Sequence, residues 1–179
     1  QEISSDLQVS TPMMRLLQGD VGSGKTLVAL LSILQAVSNG YQGVLMVPTD
    51  ILSQQHFVYA QKLLVDTGIT VIRLSGKMDA TDKLIAHHQI THANADIIIG
   101  TQALIQEKVN FANVALVIVD EQHKFGVGQR DLLLQKASAR GMAHLLVMSA
   151  TPIPRTLAMN LYADLNISSI DELPAGRKP

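Results

Sequence analysis

The sequence predicts an α/β fold: an open, mostly parallel sheet of about six or seven strands with helices on both faces. Two observations carry this. Near-continuous Val, Ile and Leu runs recur at residues 14–17, 43–47, 69–74, 96–99, 115–119 and 145–148, with spacers of helical length between them. Such runs suit strands buried on both faces, and their alternation with helices implies parallel pairing. The second observation is the octapeptide GDVGSGKT at 19–26, which lies between the first apolar run and an apolar helical stretch at 27–37. Strand, glycine-rich loop, helix is a recurrent α/β unit, and its loop falls at the carboxyl end of a strand.

The remaining elements follow in chain order. Residues 1–7 read as the end of a helix already under way. Asp50 is placed to cap a helix running through Leu64, Asp79 one through His92, and Gly126 to Ala137 forms another. No internal repeat or low-complexity segment interrupts this pattern. The tail LPAGRKP at 173–179 is rich in Pro and Gly and reads as a linker, leaving 1–172 as one domain.

Composition narrows the classes of function. With 179 residues, 47% hydrophobic and 16% charged, the chain buries a continuous core. It has no apolar run of the roughly 18 residues that span a bilayer, so no membrane role is expected. It has no cysteine, hence no disulfide or Cys-ligated metal. A net charge of −1 does not mark a domain that grips nucleic acid by charge alone, so any nucleic-acid role must rest on motifs.

The octapeptide fits G-x-x-x-x-G-K-[ST], the phosphate-loop pattern, at every specified position. Gly19, Asp20, Val21, Gly22, Ser23 and Gly24 form the loop. Gly22 and Gly24 lack the Cβ atoms that would block close approach, so successive N–H groups can turn inward as an anion nest. Lys25 is placed to reach the β- and γ-phosphates, and Thr26 to offer its hydroxyl to Mg²⁺ at the start of a helix whose dipole favours anions. The expected ligand is a nucleoside triphosphate with magnesium. Alone, the loop does not separate kinase, GTPase, ATPase and motor.

A second motif, ALVIVDEQH at 115–123, is an apolar strand delivering Asp120 and Glu121 to its carboxyl end. Asp120 is expected to hold the Mg²⁺ bound at Thr26, and Glu121 to take a proton from the attacking water. His123 is a candidate sensor of the γ-phosphate. His87, His88 and His92 lack the further ligands of a metal site and read as a solvated face. The third motif, MSATPIPRT at 148–156, sets Ser149 and Thr151 beside the Asp-Glu-Gln-His segment, where they can report its state. Pro152 and Pro154 then allow a helix to begin. VPTDIL at 47–52 and IGTQALI at 99–105 each end a buried strand in a small polar residue ahead of a helix. Pro48, Thr49, Gly100 and Thr101 are thus candidates for contacting nucleic-acid phosphates, although as isolated features they are equally good helix caps.

Taken in order, GDVGSGKT, PTDIL, GT, DEQH and SAT resemble motifs I, Ia, Ib, II and III of superfamily 2 helicases. The longer matches MMRLLQGDVGSGKT, ALIQ, VIVDEQH, KFGVGQR, TPIPRTLAMNLYADL and IDELPAGR resemble the RecG family of bacterial branch-migration helicases. The resemblance implies the first RecA-like, P-loop motor domain of a monomeric, cytoplasmic, nucleoid-associated translocase that uses ATP and Mg²⁺ to remodel branched duplex DNA. It also implies that Gln122 and His123, with Ser149 and Thr151, couple hydrolysis to domain motion. Gln102 stands where the family has His, and Lys124 where it has Arg, which Lys cannot replace in a bidentate contact. The family's wedge domain, its adenine-reading glutamine segment and its second RecA-like domain with arginine fingers fall outside these residues. Such an arginine is worth on the order of a thousandfold in rate, so residues 1–179 alone are expected to be nearly inactive. The rival readings are a transcription-repair coupling translocase, a nucleotide-gated DNA- or protein-binding module and, less in keeping with the motifs, a small-molecule kinase.

Overall fold

The computed structural model describes residues 1–121, 124–150 and 165–170. The strands are β1 (Met14–Gly19), β2 (Gln42–Met46), β3 (Val71–Leu74), β4 (Ile97–Gly100), β5 (Val114–Val119), β6 (His144–Ser149) and β7 (Asn166–Ile170). They form one sheet in the order β3-β4-β2-β5-β6-β1-β7, and every neighbouring pair is parallel. The helices are α1 (Glu2–Asp6), α2 (Lys25–Val37), α3 (Asp50–Leu63), α4 (Ala80–Thr91) and α5 (Val127–Ala137), with 3-10 turns at Gln102–Ile105 and Ser138–Arg140.

The apolar runs are continuous because the strands that carry them feed two cores. In β2, Val44 and Met46 face one cluster and Leu45 the other. Likewise in β5, Val117 and Val119 oppose Leu116 and Ile118, and in β6, Leu145 and Val147 oppose Leu146 and Met148. One core is closed by Ala29, Leu30 and Ile33 of α2 and Ala60 of α3. The other is closed by Ala86 and Ile90 of α4, Leu104, and Leu133 and Ala137 of α5. Successive strand residues point to opposite faces, so a polar side chain at either position would enter a core.

Two expectations need correction. The cap of α3 is Thr49, whose hydroxyl accepts the Leu52 N–H at 3.2 Å, and Asp50 is the first helical residue. Asp50 is instead drawn to Arg73 of β3, whose guanidinium donates to Oδ1 at 2.7 Å, and to the Ser75 hydroxyl. The hydrogen bond from Ser75 and the charge of Arg73 hold its carboxyl below the usual range, against the cost of burial. The second correction is β7, which no apolar run marked. Among the described residues it pairs on one side only, with β1, and its sequence NISSI is half polar, as befits an edge strand. Asp79 caps α4 through its acceptance of the Asp82 N–H at 2.8 Å, and Gly126 precedes α5. The tail at 173–179 lies outside the described residues.

A candidate nucleotide site at the carboxyl edge of the sheet

The phosphate loop leaves β1 at Gly19, where the backbone is hemmed in. A Cβ on Gly19 would lie 2.6 Å from Ser23 Oγ and 3.2 Å from the Ile170 Cβ of β7. Gly22 and Gly24 take φ of 85° and 93°, the left-handed region that side chains disfavour. A Cβ on Gly24 would meet nothing within 4 Å, so this glycine answers to its backbone angle and leaves open space above the helix start. Lys25 is 9% exposed, and its ammonium donates to the carbonyls of Gly19 at 2.5 Å and Asp20 at 2.8 Å. Thr26 follows it in the first turn of α2.

β5 runs buried to its end and releases Asp120 and Glu121 at the same edge. The Asp120 N–H still donates to Met46 O of β2 at 2.9 Å, so the carboxylate is launched from a fixed point of the sheet. Its Oδ1 accepts the Glu121 N–H at 2.9 Å. Glu121 has φ of 51°, a left-handed turn that redirects the chain directly after the strand. Lys25, Thr26, Asp120 and Glu121, about 95 residues apart in pairs, border one cleft of about 540 Å³. α3 supplies its opposite wall, including Gln55, His56 and Tyr59. A larger hollow of about 710 Å³ near Tyr41 and His144 contains none of the candidate site residues.

The residues present fit a nucleoside triphosphate with Mg²⁺. Ser23 Oγ is a buried hydroxyl of the loop with no hydrogen-bond partner among the described residues, a polar group suited to a polar ligand. The threonine hydroxyl and carboxylates bordering the cleft are hard oxygen donors. Among the described residues no three His, Cys, Asp or Glu side chains gather as a cation cage. Mg²⁺ characteristically shares its shell between one or two carboxylates, water and substrate phosphates.

His56 carries no motif signal and was missed by sequence reasoning. Its Nε2 lies 3.4 Å from Asp120 Oδ2, with the two side chains 11% and 12% exposed. The hint available was only positional: a polar residue two turns into a helix that starts at the carboxyl edge, seven residues after Thr49 and so on the same face.

The other candidates divide. Thr49 and Thr101 both accept as helix caps, Thr101 from the Ala103 N–H at 3.5 Å, which leaves their hydroxyl protons to donate elsewhere. Pro48 is half-buried and Thr49 exposed beside it. For Gly100 the structure gives a packing reason, since a Cβ there would sit 2.3 Å from Leu74 O and 2.8 Å from Leu104 Cγ. Gln102 reaches Gln129 of α5 at 3.3 Å. Lys124 is exposed while Phe125 enters the core. Ser149 ends β6, buried beside Gln18 of β1. Gln122, His123 and Thr151 lie outside the described residues. His88 and His92 are exposed and stack with ring centroids 4.1 Å apart, and burial lowers the pKa of the neighbouring His87, helped by Lys108 and Lys83. No helix among the described residues is long and apolar enough to cross a membrane.

Comparison with known proteins places this geometry in a family. The family model described as DEAD/DEAH box helicase matches residues 6–159. The chain is 53% identical over 178 residues to the ATP-dependent DNA helicase RecG of Aquifex aeolicus, covering 99% of this chain and 22% of that protein. It is 50% identical to RecG of Escherichia coli K12, covering 99% of this chain and 26% of the relative. The chain thus spans about a quarter of the length of the relatives it matches. Among solved structures, RecG bound to a three-way DNA junction superposes with a TM-score of 0.83 at 45% identity, over 99% of this chain and 23% of that one. The DEAD-box helicase Mss116, bound to single-stranded RNA and UDP-BeF, shares the fold with a TM-score of 0.70 at 20% identity, over 94% and 38% of the two chains. The phosphate loop, the acidic turn after β5, the RecA-like parallel sheet and the family match agree: this chain belongs to the DEAD/DEAH box helicases and, within them, is similar to RecG.

Proposed function

We propose that residues 1–172 are the first RecA-like motor domain of an ATP-dependent helicase that remodels branched duplex DNA, with 173–179 beginning the linker to a second RecA-like domain. The observation that supports this best is the convergence of Lys25, Thr26, Asp120 and Glu121 on one cleft at the carboxyl edge of a parallel sheet. In this reading the loop N–H groups and Lys25 bind the triphosphate. To do so, the Lys25 ammonium turns from the Gly19 and Asp20 carbonyls. Thr26 and Asp120 hold Mg²⁺, which when bound neutralises charge developing on the phosphates. Glu121 accepts the proton of the attacking water.

Gln122, His123, Ser149 and Thr151 transmit the state of the cleft to the rest of the motor. Pro48, Thr49, Gly100 and Thr101 form the DNA-facing rim. Thr49 and Thr101 use their hydroxyl protons on backbone phosphates, and Gly100 contributes by holding the 3-10 turn close against β3. The similarity to a RecG solved on a three-way junction supports branched DNA as the substrate. The protein acts as a cytoplasmic, nucleoid-associated monomer whose wedge and second motor domain complete the machine.

The test is Glu121→Gln in the full-length protein. ATP binding should persist with Mg²⁺ present, while turnover falls by about 100-fold or more, the contribution of a positioned general base. Wild-type turnover by this variant refutes the assignment of Glu121.

A further inference from the structure

We propose that His56 is a positioning residue for this cleft: from α3, it holds the Asp120 carboxylate in the orientation that Mg²⁺ requires. The inference rests on the nucleotide reading of the cleft. A carboxylate that holds a metal needs a fixed direction, and free rotation about its last bond removes that direction. Asp120 Oδ1 is fixed by the N–H of its own turn, from Glu121 at 2.9 Å. Oδ2 is approached from another element, by His56 Nε2 at 3.4 Å, and both side chains are largely withdrawn from solvent. The two oxygens are thereby addressed from the backbone and from the facing helix.

The spacing matters. N–H···O bonds centre on about 2.9–3.0 Å, so an approach of roughly half an ångström turns this contact into a full hydrogen bond. α3 is anchored where such a movement would be controlled: Asp50 and Ser53 in its first turn take the Arg73 guanidinium at 2.7 and 3.3 Å. Two other buried polar side chains, Arg15 and Gln42, are consumed by the fold. Arg15 is bonded to Glu2, Asp6 and Ser168, and Gln42 to four backbone groups. His56 instead turns its polar edge to a cleft residue. Outer-shell partners of this kind are worth about 10–100-fold in metal affinity or activity.

The experiment measures binding of a fluorescent ADP analogue to the full-length protein, first in EDTA and then as Mg²⁺ is titrated in. His56→Ala should leave metal-free ADP affinity unchanged and raise the Mg²⁺ concentration for half-maximal effect by about tenfold or more. His56→Gln, which keeps an N–H donor, should recover most of the loss. Asp120→Asn combined with His56→Ala should be no worse than Asp120→Asn alone. Wild-type Mg²⁺ dependence in His56→Ala overturns the proposal. So does an equal loss of affinity with and without Mg²⁺, which would mark a packing role. Failure of the wild-type protein to bind ADP at all overturns the reading of the cleft itself and this proposal with it.

Discussion

Replacing Gly43 with alanine drives a methyl group into the helix that carries the phosphate loop. The new Cβ would lie 2.4 Å from Ile33 Cγ2, 3.0 Å from Cγ1 and 3.1 Å from Cβ, where ordinary contact begins near 3.4 Å. Ile33 is fully buried in the core between α2 and the sheet, so it has no room to turn aside. Relief requires α2 to retreat by about 1 Å, and overpacking of this kind costs about 1–3 kcal/mol. α2 opens with Lys25 and Thr26, while Asp120 stays with β5, so the same retreat pulls the two halves of the cleft apart. A misplacement of about 1 Å can cost roughly 100-fold in rate. Urea unfolding and steady-state ATP turnover of the full-length Gly43→Ala protein should both be impaired. Ile33→Ala removes both Cγ atoms, so the double variant should be more stable than the sum of the single losses by about 1–3 kcal/mol. Wild-type stability and turnover in Gly43→Ala, or strict additivity with Ile33→Ala, would refute the argument.

Two further predictions concern the opposite edge of the sheet. Gln42 is 3% exposed, accepts the N–H groups of Ala112 and Asn113 at 3.0 and 3.1 Å, and donates to the carbonyls of Ile90 and Ala95 at 3.1 and 2.8 Å. Gln42→Leu strands the Ala112 and Asn113 N–H groups and the Ala95 carbonyl, whereas the Ile90 carbonyl still accepts the Ala93 N–H. It should cost about 3 kcal/mol or more in urea unfolding, since each unsatisfied buried group costs about 1–3, and a loss under about 1 kcal/mol contradicts this. His144 Nδ1 accepts the Met13 N–H at 2.8 Å, and burial lowers its pKa below 6.5 against the pull of Asp6. Because the folded state holds the imidazole neutral, its stabilisation is complete above pH 6.5 and is lost as pH falls from there through the folded value. His144→Asn keeps an acceptor without the titration, so its stability should fall less steeply over that range; an unchanged slope would show that His144 does not contribute.

What the sequence made legible and what it concealed have the same physical origin. Strands packed between two cores are largely apolar, so β1 through β6 announced themselves as runs within a few residues of their observed bounds, with Arg15, Gln18, Gln42 and Arg73 among the polar exceptions. β7 escapes this demand at the sheet edge, where Ser168 and Ser169 are tolerated, and no run betrays it. Asp50 and Thr49 are both good caps, and local pattern does not choose between them. The choice is made by Arg73, 23 residues away in sequence, which takes the Asp50 carboxylate at 2.7 Å. In the cleft, the loop and acidic turn were legible because phosphate and metal chemistry constrain consecutive residues. His56 was not, because it acts through a contact between α3 and β5 that only the folded sheet creates. At Gly100, a candidate for contacting nucleic-acid phosphates, the sequence did not show the packing reason for a glycine, which is the approach of Leu74 and Leu104.

The most direct test of the central claim is ATP turnover by the full-length protein at one fixed salt concentration, without nucleic acid, with linear duplex and with a three-way DNA junction. Salt is held constant because phosphate contacts make DNA binding strongly salt-dependent. A branched-DNA motor should be stimulated most by the junction. Turnover indifferent to all three conditions would contradict that account and leave the cleft as the site of a nucleotide switch.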